Sequence, residues 1–157
     1  MTQTQKLLQS VVENARTGLD ACEQLLKEVK DPDMRQELLT QREQYQGFIR
    51  DGENALYAAG ARPHAKSPMQ RMGMWMGIKM DTLTDVSPDH IADMLIQGLT
   101  MGIIGMTRDR NDNPDADAHA QGIAANFITT QQDAIDRCKA KLSLDPVAAA
   151  SDSVSSQ

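Results

Sequence analysis

Residues 7–33 read LLQSVVENARTGLDACEQLLKEVKDPD, and this stretch decides the fold class. Its apolar residues fall at Leu7, Leu8, Val11, Val12, Ala15, Leu19, Cys22, Leu25, Leu26 and Val29. Spacings of three and four residues trace one face of an α-helix, so the stretch predicts an amphipathic helix that must bury that face. Thr4 is the expected N-cap. The helix has to stop near Lys30, because Pro32 disfavours helical geometry at Asp31. Asp31-Pro32-Asp33 then opens a second helix: Asp31 caps it, Pro32 fits its first position, and Asp33 complements the dipole. A turn this short makes the two helices an antiparallel hairpin.

The second helix buries Met34, Leu38, Tyr45, Phe48, Ile49, Leu56 and Ala59, and Gly60 followed by Pro63 is a natural end for it. A polar loop with His64 leads to Ser67-Pro68, which starts a shorter helix over 68–82. Ser87-Pro88-Asp89 repeats the cap signature and opens a third long helix reaching about residue 111. Asn113-Pro114-Asp115 breaks the chain, and a fourth helix runs to about Leu142 with Ile123, Phe127, Ile128, Ile135, Cys138 and Leu142 inward. Four helices of ~24–28 residues, about 36–42 Å each, match in length as a four-helix bundle requires. The middle connection is long enough to carry the chain back along the bundle, and an up-and-down bundle with the short helix across one end is the alternative. The expected organisation is a helical domain over 1–143 and a disordered tail over 144–157, where small and polar residues lack any period.

Composition narrows the partners. The chain has 157 residues, 40% hydrophobic but only 3% aromatic, with 10 methionines, a net charge of −6 and a pI near 5.0. Nucleic acid and anionic membranes reward clustered Lys and Arg, and the 16 basic residues here are scattered. The apolar, uncharged stretch Met94–Thr107 is too short for a membrane span, which needs ~20 apolar residues. No secretory leader is legible at the N-terminus. Cys22 and Cys138 lie far apart without CxxC spacing, and each sits on an apolar stripe. They read as buried, reduced thiols of a cytoplasmic protein, with a disulfide or redox pair as the other reading.

Candidate chemistry is sparse. A one-crossover bundle carrying two metal ions uses one Glu from each of two helices and Glu-x-x-His from the other two. No Glu-x-x-His occurs in this chain. His90 and Asp93 share helical spacing in reversed order. With Glu43 of the second helix and Glu13 of the first they form the weak candidate set for iron or manganese; otherwise no cofactor is expected. Met69, Met72, Met74, Met76 and Met80 crowd the short helix, and Met94, Met101 and Met106 follow. Core filling, an adaptable contact surface and thioether binding of Cu(I) are all open to them. Met94–Thr107, MLIQGLTMGIIGMT, is apolar all round, so one place in a single bundle leaves part of it uncovered. Gly98, Gly102 and Gly105 lie close to one face and would let another helix approach. Gly73 and Gly77 repeat that spacing in the short helix. The reading is self-association through Gly98, Met101, Gly102 and Gly105, with a homodimer as the expected state and another protein as a possible partner. Residues 79–85, dense in polar groups, form a cap-and-turn network or a small site.

The stretch from Asp31-Pro32-Asp33 to Ala58-Ala59-Gly60-Ala61-Arg62-Pro63, with Trp75 and Lys79, resembles a family of small bacterial ferritin-like four-helix-bundle proteins without an assigned activity. The resemblance covers residues 5–142 and implies an all-α, ferritin-like bundle with an extra short helix between the second and third. Related ferritin-like proteins carry glutamates around a glycine in the third helix. Here that place reads Ile96-Gln97-Gly98-Leu99, so the resemblance implies a member without the metal centre. Two functions follow as expectations: a non-enzymatic, self-associating bundle, or a degenerate iron- or manganese-binding protein.

Overall fold

A computed structural model describes residues 1–64 and 84–143. Four α-helices make up the described chain, with no strand among the described residues: α1 (Gln3–Glu28), α2 (Pro32–Ala58), α3 (Pro88–Asp112) and α4 (Ala118–Lys139). The short helix expected over 68–82, with its methionines, Gly73, Gly77, Trp75 and Lys79, and the tail over 144–157 lie outside the described residues.

The helix ends follow from local chemistry. Thr2, not Thr4, caps α1. Its hydroxyl accepts from Gln5 N–H while the Gln5 side chain accepts from Thr2 N–H, a reciprocal capping box. Thr4 is two residues inside, and its hydroxyl accepts from the Asp117 N–H instead. Asp31 accepts from Met34 N–H at 2.9 Å with Pro32 in the first turn, as the Asp-Pro-Asp motif requires. Gly60 sits at φ 79°, the left-handed geometry that ends α2. Ser87 caps α3 and Asp117 caps α4. Leu142 lies beyond α4, which stops at Lys139.

Hydrogen bonds between the helix ends set the chain direction. At one end of the bundle Gln5 of α1 donates to the Ala59 carbonyl past α2, and Gln3 accepts from Asp115 N–H between α3 and α4. At the other end Glu37 near the start of α2 holds Arg137 near the end of α4, and Asp89 at the start of α3 accepts from Ser143 N–H. So α1 and α4 run one way and α2 and α3 the other. The chain leaves α2 at one end and enters α3 at the opposite end, which makes the connection between Ala59 and Ser87 span the bundle. This is the one-crossover order; the up-and-down alternative would place the start of α3 beside the end of α2.

The core is aliphatic. Leu7, Leu8, Val11, Val12, Cys22 and Leu25 of α1 pack with Met34, Leu38 and Leu56 of α2, Ile91, Leu95, Leu99 and Met106 of α3, and Phe127 and Cys138 of α4. Phe48 meets Phe127 edge-on with centroids 5.2 Å apart. Phe48, Ile49, Leu19 and Leu26 are only partly buried at its margin. Helix α3 is amphipathic once folded: Ile91, Leu95, Leu99 and Met106 face in, whereas Met101 and Ile104 are 51% and 46% exposed. No described helix is long and apolar enough to cross a membrane.

Candidate functional site: a polar seam between α2 and α4

The apolar stripe of α2 carries polar residues within it. Glu37, Gln41 and Tyr45 follow one another at four-residue steps on the face that holds Met34 and Leu38, and all five are buried. They meet Gln131, Arg137 and Cys138 of α4 along an antiparallel contact.

The pairings run down the seam. Arg137 donates through Nε and Nη2 to the two carboxylate oxygens of Glu37, at 2.7 and 3.1 Å. This forked, charge-assisted geometry neutralises a carboxylate that would be costly to bury alone. The Gln41 Nε2 donates to Glu37 Oε2 at 2.9 Å and approaches Cys138 Sγ at 3.9 Å. One turn on, the Tyr45 hydroxyl donates to Gln131 Oε1 at 2.9 Å. Tyr45 fits because Gly18 of α1 lies under its ring; a Cβ there would overlap it. Gln41 Oε1 is buried and has no hydrogen-bond partner among the described residues.

Burial governs the protonation of this seam. Cys22 and Cys138 are both free and buried. Removal from water, reinforced by the nearby Glu37 charge, pushes both thiols up, Cys138 to about 12. Burial likewise raises Tyr45, with Cys22 next among the causes. Thiols held neutral this firmly are poor nucleophiles, since attack needs the thiolate. Two grooves open on the surface, one at the Glu37–Arg137 end of the seam and one at the opposite end of the bundle. One, of about 320 Å³, is lined by Asp33, Gln36, Glu37, Thr40, Arg137 and Lys141. The other, of about 390 Å³, lies where α1 begins and α2 ends, with Leu8, Asn54, Asp117 and His119 on its walls.

The residues singled out from the sequence lie elsewhere. Glu43 and Asp93 are exposed, and Asp93 accepts from Gln97 on its own helix at 3.1 Å. His90 is half-buried in the first turn of α3, its N–H given to the Ser87 hydroxyl. Glu13 is half-buried on α1 and accepts from Gln9 Nε2 at 3.5 Å. No three of them converge: among the described residues no group of three or more His, Cys, Asp or Glu is arranged to hold a metal ion. Gly98 and Gly102 are buried, and a Cβ on Gly102 would stand 3.4 Å from Gln131 Nε2, so Gly102 faces the seam rather than an outside partner. Around Gly105 there is open space. Of the polar junction over 79–85, Asp85 accepts from Ser87 N–H at 2.9 Å, which holds its exposed carboxyl below the usual range.

Glu37, Gln41, Gln131 and Arg137 escape a reading that looks for isolated acids and histidines. Their signal was available as polar residues landing on the helical stripe of Met34, Leu38 and Tyr45 in α2 and of Phe127 and Ala134 in α4. No protein-family model matches this chain, and no curated protein or solved structure matches it either.

Proposed function

We propose that the chain is a ferritin-like, cytoplasmic four-helix bundle with a binding or structural role and no catalysis of its own, associating with a second copy through the outward face of α3. The observation that carries the reading is how the seam is used. Where a ferritin-like bundle would direct carboxylates at metal ions, Glu37 is held by the Arg137 guanidinium and by Gln41. A carboxylate committed to a forked ion pair has to lose that pair before it ligates a metal, at the cost of exposing a buried charge.

Among the described residues, α3 offers an apolar turn outward. Met101 and Ile104 stand one turn apart and exposed, with the open Gly105 beside them. A flexible thioether next to a branched aliphatic and a glycine suits close helix contact, and an isologous pair would bury the same turn from both copies. The alternative reading, iron or manganese held by Glu13, Glu43, His90 and Asp93, ranks second because Glu43 and Asp93 point into solvent.

Light scattering on the full chain tests the association. The wild type is expected at twice the chain mass, and Met101→Glu with Ile104→Glu at the chain mass with unchanged helicity. A wild type that stays monomeric at every concentration, or a double variant that stays dimeric, defeats the proposed interface.

A further inference from the structure

Three helices bring soft or oxygen donors to one level of the core. The register of the first hairpin is set by Gly18 against Tyr45 and by Gly52, whose added Cβ would stand 2.7 Å from Val12. One turn along from Gly18 and one turn back from Tyr45, the same antiparallel register sets Cys22 of α1 opposite Gln41 of α2. From the other side, Cys138 of α4 lies 3.9 Å from Gln41 Nε2. Both thiols are fully buried and neither is in a disulfide. At this level the Gln41 carboxamide has its nitrogen shared between Glu37 and Cys138 Sγ, while its oxygen is buried without a partner among the described residues. An acceptor left bare in an aliphatic core is costly and marks this level of the core as incompletely satisfied.

We propose that Cys22 and Cys138 form a two-coordinate site for a soft monovalent cation, Cu(I), at the level of Gln41. Thiolates select Cu(I) over harder divalent ions. Two ligands satisfy this ion, so the lack, among the described residues, of any group of three His, Cys, Asp or Glu is no obstacle to it, whereas four-ligand zinc would be unsupported. Loading exchanges protons for metal without redox change: two thiols and one Cu(I) give a bis-thiolate complex of charge −1 and two released protons. Gln41 Nε2, 3.9 Å from Cys138 Sγ, supplies an N–H to that thiolate. The protons held by buried thiols compete with the metal, so affinity falls as pH falls. The site is independent of the α3 interface and of the iron and manganese candidates.

The test is anaerobic titration of the full chain with Cu(I) buffered by a chromogenic chelator, read by chelator absorbance and by the ultraviolet thiolate-to-copper band, which thioethers do not give. The expected result is one equivalent per chain, with the band, and loss of that equivalent in Cys22→Ala and in Cys138→Ala alike. The proposal is overturned if the wild type takes up no copper, if either single variant retains the equivalent, or if copper binds without the thiolate band, which would assign it to methionines. Should an alanine variant fold poorly by circular dichroism, the wild type decides: copper loading must protect both cysteines from alkylation when the chain is opened with denaturant under anaerobic conditions, and unprotected cysteines overturn the site.

Discussion

Glycine does opposite work in the two hairpins. In α1/α2, Gly18 and Gly52 are buried, and each is the socket for a bulky side chain, the Tyr45 ring and Val12. In α3/α4, Gly105 and Gly122 have nothing within contact distance of an added Cβ, and Gly102 meets only the end of a glutamine side chain. The first hairpin is therefore shape-matched at these two levels. The second leaves slack on its outer side, where Met101 and Ile104 are exposed. The comparison teaches that a glycine in a helical pattern is a packing device only when its opposite number is large.

The sharpest way to break this contrast is at the charge that joins the hairpins. Arg137→Met strands Glu37 in the core. A buried pair broken on one side costs about 3–5 kcal/mol, and the partly exposed Arg137 reduces that to about 3 kcal/mol, seen as a lowered urea midpoint. Replacing both, Glu37→Leu with Arg137→Met, is expected to recover most of the loss. Next in size, Gly18→Ala forces the Tyr45 ring to move, an overpacking cost of about 1–3 kcal/mol that exceeds the helix-propensity gain. Tyr45→Leu in the same chain should restore part of the loss; additive penalties would refute the socket.

Alkali tests the seam's neutral thiols. An unfolded Cys138 loses its proton near pH ~8.5, whereas the folded thiol holds it up to about 12. The unfolded chain thus sheds protons first as pH rises. Stability is complete below pH ~8.5 and declines through that window at about 1.4 kcal/mol per unit for this group. Cys22 and Tyr45 shift in the same direction. Thermal melts across the window should fall steeply, and Cys138→Ala should flatten the fall. Smallest of all, Gly105→Ala, made in the chain kept monomeric by Met101→Glu with Ile104→Glu, is expected to raise stability by up to about 1 kcal/mol, because the site is open there and alanine is the better helix former. Loss of stability there would remove the contrast between the hairpins.

Much of the fold was legible because capping chemistry is local. Asp31-Pro32-Asp33 and Ser87-Pro88-Asp89 mark helix starts whatever surrounds them, and the heptad-like run from Leu7 to Val29 admits no strand. Thr2 took the cap from Thr4 because Gln5 completes a reciprocal pair with Thr2, a two-residue choice that apolar periodicity does not register. The chain direction of α3 was open in the sequence, since it depends on contacts such as Gln5 with Ala59 and Ser143 with Asp89. The seam was legible only in part. Tyr45 and Cys138 read as core, but Glu37 and Gln131 read as surface by residue type, and only their helical phase says otherwise. Whether Gly102 faces α4 or an outside helix turns on tertiary packing alone.

The most direct measurement is the iron and manganese content of the full chain after anaerobic incubation with Fe(II) or Mn(II) and passage through gel filtration. The closed seam predicts no retained metal, in the wild type and in His90→Ala alike. One or two equivalents carried through the column, and lost in Glu37→Gln or His90→Ala, would contradict the account and restore the metal-centre reading of the bundle.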